Sequence, residues 1–306
     1  MRVFLATLIL FSISEIVPAQ NAIKIGSKLF TESVILGEIV TQLSEEQGIE
    51  TEYIDQLGGT RILWNALLTG EIDIYPDYTG TVIQEILGKP EISNINELNA
   101  ELETYGVRAT ESLGFNNTYA LGMLGSKAEE LNINKISDLE NYPNLKLGFS
   151  NEFLDRNDGW KGLQNEYKLP QTSVTGLDHD LAYRGLEAGN IEVIDLYSTD
   201  AEIEYYSIRT LDDDEDFFPN YSAIILYRLD LVDKQPTLIQ RLESLEGKIS
   251  NKKMVEMNAK VKLQSILDSK VASEFIAEEL GIKTLVSDQT LWSSLWKNTV
   301  DHLCVW

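Results

Sequence analysis

The segment LLTGEIDIYPDYTGT, residues 67–81, ends on a phenol and two hydroxyls, Tyr78, Thr79 and Thr81, with Tyr75 and Asp77 just before them. A tyrosine at the end of a strand presents a ring face. Such a face attracts a cation by about 0.5–2 kcal/mol, more where water is excluded. The arrangement recurs in LEAGNIEVIDLYS, residues 186–198, where Gly189, Ile191, Glu192 and Val193 match Gly70, Ile72, Asp73 and Ile74. In both segments a tyrosine, Tyr78 or Tyr197, stands eight residues after the glycine, and Thr79 or Ser198 follows it. Open α/β sheets bind ligands beyond the carboxyl ends of their strands. Two such units facing one another would bring Tyr78 and Tyr197 to one cleft from opposite sides. Tyr75 has Ile194 as its counterpart and reads as core, and Tyr205, Tyr206 and Tyr227 read as packing residues.

The elements that must position these residues alternate. AIKIGS is a short apolar strand; Thr31 then caps a helix with Val34, Ile35, Ile39, Val40 and Leu43 at helical spacing, ended by Gly48. TEYIDQL reads as the next strand, and Gly58-Gly59-Thr60 opens a second helix. LKLGFS, TSVTGL, IEVIDLY and SAIILYR read as further strands. After residue 235 the pattern is wholly helical, near 236–246, 251–265, 270–280 and 289–303. The class is α/β.

Arg2, the apolar run Val3–Ile13 and Val17-Pro18-Ala19 form a leader cut after Ala19, with Ala22 as the other site. The run is too short to span a bilayer. The expectation is a periplasmic protein with residues 1–19 removed. The one cysteine, Cys304, excludes an intramolecular disulfide and lies far from the junction where a lipid would attach. A net charge of −24 repels nucleic acid and anionic lipid. Asp212–Asp216 reads as a solvated acidic loop, without the glycine turn of a calcium site. The two histidines, His179 and His302, are too few and too far apart for a metal site, and no G-x-S-x-G elbow accompanies them. Gly58-Gly59-Thr60 lacks the lysine of a phosphate loop. Neither an enzyme nor a bound cofactor is expected. His179 is expected to cap a helix or to line a lobe interface, and Trp160 to pack within a lobe.

KIGSKLFTES, LGGT, YPDYTGT, GFSNEFLDRNDGW, GLDHDLAYRGLEAG, DLYSTDAEI and FFPNYSAIILY resemble the substrate-binding proteins of osmoprotectant ABC transporters, over residues 23–300. The resemblance implies a two-lobed, type II periplasmic-binding-protein fold with two hinge crossovers, near residues 115–120 and 217–223. It implies lobe I from residues 20–117 and 222–306, lobe II inserted at 118–221, and a helical C-terminal stretch packed on lobe I. It implies capture of glycine betaine or a related quaternary amine by a monomer that delivers it to a membrane permease. A sensing module of the same fold, for a ligand such as choline or ergothioneine, stays open beside it. By motif, the trimethylammonium box is Tyr78, Tyr119, Tyr197 and Tyr221, and a betaine carboxylate would meet Lys28, Arg156 and Thr81. Some members carry an acid where this chain has Asn117. An alternative for Arg156 is a structural pair with Asp155 or Asp158. If Lys28 and Arg156 serve a carboxylate, betaines should bind at least about tenfold tighter than choline.

Overall fold

The computed structural model describes residues 22–284. The expected leader, the helix near 289–303, His302 and Cys304 lie outside the described residues. Ten strands form two five-stranded sheets. The first holds β1 (Ile23–Lys28), β2 (Thr51–Gly58), β3 (Ile74–Tyr78), β4 (Val107–Ala109) and β10 (Ala223–Arg228), in the order β2-β1-β3-β10-β4. The second holds β5 (Tyr119–Leu124), β6 (Leu147–Ser150), β7 (Val174–Leu177), β8 (Val193–Tyr197) and β9 (Ile208–Thr210), in the order β7-β6-β8-β5-β9.

Both sheets are built to one plan. Three parallel strands come first, and the strand adjoining a crossover, β10 or β5, pairs antiparallel on their flank. The chain passes between the sheets twice, through residues 110–118 and 211–222. The repeated unit of the sequence is the third step of each plan. The helix Thr60–Thr69 ends on Gly70 and leads into β3; the helix His179–Glu187 ends just before Gly189 and leads into β8. Both glycines have positive φ, 76° and 71°, a region where a side chain would be strained.

The strands are apolar on both faces because helices cover both. Ile25, Ile74 and Ile225 are fully buried in the first sheet, and Phe149, Val193 and Leu121 are buried in the second. Tyr75 is fully buried in the first core, as its missing counterpart suggested, and Trp160 packs on Phe149 at 5.0 Å. Tyr227 is buried, but Tyr205 is 65% exposed and meets Tyr206 edge-on. β4, β5 and β9 have no counterpart in the sequence reading, since each pairs only with strands distant in the chain, and β4 and β9 are only three residues long.

Three further differences bear on the site. Thr31 is the first residue of its helix, Thr31–Glu46, and Phe30 occupies the cap position with no side-chain cap. The C-terminal helices do pack on the first sheet's helix: Gln42 donates to the Ser269 carbonyl at 2.7 Å. The helix Asn251–Lys262 also reaches the other sheet, where Lys262 pairs with Glu202 at 2.6 Å and Asp180 at 2.8 Å. The acidic run is not merely solvated. Asp213 accepts from the Tyr167 hydroxyl and the amides of Phe217 and Phe218, and Asp214 pairs with Lys135, which shapes the second crossover.

Candidate ligand-binding site

Tyr78 ends β3 and Tyr197 ends β8, so the common plan delivers one ring from each sheet. The antiparallel strands bring two more. Tyr119 opens β5 directly opposite Tyr197 in register, and Tyr221 stands two residues before Ala223, which is opposite Tyr78. Ring centroids lie 5.1 Å apart for Tyr119–Tyr197 and 5.9 Å for Tyr119–Tyr221. Phe30, at the open cap of its helix, closes a side at 5.5 Å from Tyr197 and 6.3 Å from Tyr78. Gly80 makes this approach feasible, since a Cβ there would come 2.6 Å from the Tyr221 ring and 2.8 Å from the Asn220 carbonyl. Burial pushes the phenols of Tyr78, Tyr119, Tyr197 and Tyr221 well above their ordinary range. All four are therefore neutral, and each offers the cavity a ring face rather than a phenolate.

All eight residues singled out in the sequence line one cavity: Lys28, Tyr78, Thr81, Asn117, Tyr119, Arg156, Tyr197 and Tyr221, joined by Phe30 and Glu152. Its volume is about 20 Å³, room for little more than one water. A molecule larger than water therefore enters only if the sheets part. A wider cleft of about 260 Å³ adjoins it and shares Lys28, Phe30, Glu152 and Tyr197. A groove of about 550 Å³ along the crossovers holds Tyr119 but none of the other three tyrosines and no cationic side chain.

The two cations of the site carry their own acids. Lys28 Nζ lies 2.7 Å from Asp77 and donates to Thr60 at 3.0 Å. Arg156 grips Asp158 with Nε and Nη2, which is the structural pair weighed for it, and its guanidinium lies over the Tyr119 ring at 5.4 Å. Asp158 also accepts from the Tyr221 hydroxyl at 2.6 Å. Lys28 keeps one N–H, and Arg156 keeps those of Nη1, so donors for an anion remain although the charges are matched. His179 is the first residue of its helix, behind an Asp178 cap. It stacks on Tyr197 at 4.6 Å, with Asp200 at 2.9 Å and Asp195 at 3.8 Å. Burial alone would lower its pKa; the two aspartates outweigh that and hold it up to about 10.

Sequence reasoning missed Phe30, Glu152 and above all Glu32. Glu32 lies in the first turn of its helix, where an acid ordinarily serves the helix dipole. It is buried by Tyr78 of the first sheet, Asn117 of the first crossover, Thr199 after β8 and Asn258 of a C-terminal helix, and no local pattern signals that.

Two like sheets joined by two crossovers, with a site between them, define a two-lobed solute-binding fold. Residues 21–278 match the family model described as the substrate binding domain of ABC-type glycine betaine transport system, and the chain belongs to that family. It is 33% identical over 290 residues to the ergothioneine transport permease/ergothioneine binding protein EgtU of Helicobacter pylori, across 90% of this chain and 51% of that one. It thus spans about half of that relative's length. It is 31% identical to the carnitine transport binding protein OpuCC of Listeria monocytogenes, across 84% of this chain and 87% of the relative. A crystal structure of a glycine betaine/carnitine/choline ABC transporter superposes with a TM-score of 0.69 at 27% identity, over 84% of this chain and 98% of that one. The family is one of transport receptors, not of enzymes.

Proposed function

We propose that this chain captures a quaternary ammonium solute, glycine betaine or a related betaine, between its lobes and passes it to a membrane permease. The observation that carries this reading is convergence. Four tyrosines and a phenylalanine, from both sheets, one helix cap and one crossover, meet around one cavity. Neutral ring faces suit a cation whose methyl groups allow no hydrogen bond. Remaining donors on Lys28 and Arg156, with the Thr81 hydroxyl, suit an accompanying carboxylate. Residues 110–118 and 211–222 serve as the hinge, and a ligand that contacts both lobes shifts the population towards closure.

The relatives named for carnitine and ergothioneine support the ligand class, since both molecules carry a trimethylammonium group and a carboxylate. The name of the family supports transport over sensing. Export through the N-terminal leader, to the periplasm and as a monomer, completes the reading. Among the described residues no helix is long and apolar enough to cross a membrane.

The test is a thermal-unfolding screen against glycine betaine, proline betaine, choline, carnitine, ergothioneine and proline. A true ligand at 100 times its dissociation constant adds about 2.7 kcal/mol of stability. Proline shares the carboxylate but lacks the quaternary nitrogen. A shift with proline and none with the quaternary amines would sink the cage.

A further inference from the structure

Glu32 is 2% exposed, and its carboxylate takes four hydrogen bonds, two on each oxygen. Oε1 accepts from the Tyr78 hydroxyl at 2.5 Å and from Asn117 Nδ2 at 2.8 Å. Oε2 accepts from the Thr199 hydroxyl at 2.6 Å and from Asn258 Nδ2 at 3.1 Å. Burial raises the pKa of Glu32, and the hydrogen bonds from Thr199, Tyr78 and Asn258 act against that. The amide nitrogens only donate, so the shell favours the ionised acceptor.

What sets Glu32 apart is the absence of a cation in that shell. Of the acids buried at the cleft, Asp77 has Lys28, Asp158 has Arg156, Asp195 and Asp200 have His179, and Glu202 has Lys262, each within 4 Å. Among the described residues Glu32 has no such partner, only neutral donors. An uncompensated buried carboxylate is costly. Two of its four donors, Tyr78 and Asn117, line the cage.

We propose that Glu32 supplies the negative charge that balances the cation in the cage, acting through Tyr78 and Asn117 rather than by contact. The Tyr78 hydroxyl points its positive end at Glu32, which leaves the ring more electron-rich towards the cavity. Asn117 carries the same polarisation from the first crossover. The Thr199 hydroxyl comes from the turn after β8, in the second lobe, so the shell is complete only when the two lobes have met. Charge balance and closure are thereby coupled at one residue.

This inference rests on the cage reading and deepens it. The probes are glycine betaine and 3,3-dimethylbutanoate, in which a carbon replaces the quaternary nitrogen and shape is kept. Glu32→Gln is close to isosteric. It should weaken glycine betaine about tenfold by isothermal titration, yet strengthen 3,3-dimethylbutanoate in ligand-observed NMR, because the repulsion of an anion is removed. A merely structural Glu32 would weaken both ligands together, and that result overturns the proposal. The double variant Glu32→Gln, Asn117→Asp puts the charge back 2.8 Å away, across the same hydrogen bond. It should recover most of the lost affinity for glycine betaine. A double variant no better than Glu32→Gln, with both folded by circular dichroism, also overturns it. If Glu32→Gln does not fold, the double variant is compared with Asn117→Asp in the parent, where a second buried carboxylate should not tighten betaine further; a tightening would overturn the proposal. A parent that binds no quaternary amine refutes the cage itself and is seen before any variant is made.

Discussion

In the first sheet the residue that ends β1 is Lys28, and Asp77 on β3 takes it up at 2.7 Å. In the second the residue that ends β6 is Ser150, and Asp195 on β8 takes up its hydroxyl at 2.7 Å and its amide at 2.6 Å. The device corresponds although the register is shifted, with Asp77 one residue before Tyr78 and Asp195 two before Tyr197: in each sheet an aspartate near the end of the third strand holds the end of the first. The charge does not correspond. The first sheet closes its account within one ion pair, whereas Asp195 relies on hydrogen bonds and on His179, which it shares with Asp200. The architecture thus sets where the cage rings stand, and single residues set the charge around them.

The largest expected effect tests that contrast. Asp77→Ala leaves a buried ammonium without its acid and should cost about 3–5 kcal/mol of unfolding free energy. Asp195→Ala leaves an amide and a hydroxyl of Ser150 unpaired but no lone cation, because His179 keeps Asp200, and should cost about 1–3 kcal/mol. Urea unfolding of both variants decides it, and equal losses would mean that the ion pair is no different in kind from the hydrogen bonds.

The tyrosines ending β3 and β8 differ in the same sense. Tyr78 donates to Glu32, while Tyr197 is stacked on His179. Tyr197→Ala should weaken ligand binding by about 1–2 kcal/mol, through loss of a ring face and an apolar wall. Tyr78→Phe should lose about 1.5–3 kcal/mol of stability, because a charged acceptor loses a donor, and Tyr197→Phe should lose less than about 0.5 kcal/mol. Calorimetric unfolding and titration of the three variants check both statements. Phe variants of equal stability would remove the distinction.

His179 gives the second sheet a pH dependence. Its folded pKa, about 10, lies above its ordinary value of 6.5. Its stabilising contribution is therefore fully present below about pH 6.5 and is lost as pH rises towards 10. One pKa unit is worth 1.36 kcal/mol, so the stability difference between the parent and His179→Gln should shrink by at least about 1.4 kcal/mol between pH 6 and pH 10. Chemical unfolding at intervals across that range measures it. A difference that stays constant would mean that His179 is not charged beside its two aspartates.

The sequence carried the plan of the fold because that plan rests on local, repeated signals. Gly70 caps its helix and Gly189 follows the cap Ala188, each leading into a strand, and the tyrosine at each strand end follows from the count. The lining of the cavity was legible by motif at eight positions, which the structure brings together. What was not legible is long-range. β5 is held by β8 and β9 rather than by its own alternation, although it carries Tyr119. Phe30 looks like any apolar residue before a helix. The shell of Glu32 gathers Tyr78, Asn117, Thr199 and Asn258 from four separate parts of the chain. The pairing of Lys28 with Asp77 also depends on strands brought together by the sheet.

That last pairing changes the smallest prediction. If Lys28 and Arg156 faced the ligand with unmatched charge, a carboxylate would be worth at least about tenfold over the hydroxyl of choline. Each instead has an acid in contact, Asp77 and Asp158, and Glu152 stands 3.6 Å from Arg156 Nη1. A carboxylate then gains the remaining N–H groups but little net attraction, so its advantage should come nearer fivefold, about 1 kcal/mol. Arg156→Ala is a poor probe here, since it also strips Asp158 of its partner. Asp158→Asn is better: it keeps a group for Arg156 and Tyr221 to meet and removes one negative charge. It should widen the preference for glycine betaine over choline, because Arg156 then carries uncompensated charge towards the carboxylate. Titration of both ligands against the parent and Asp158→Asn measures the two ratios. Equal ratios would show that Arg156 serves the fold of the second lobe alone. The cage would then recognise the ammonium end of its ligand and leave the other end to Lys28 and Thr81.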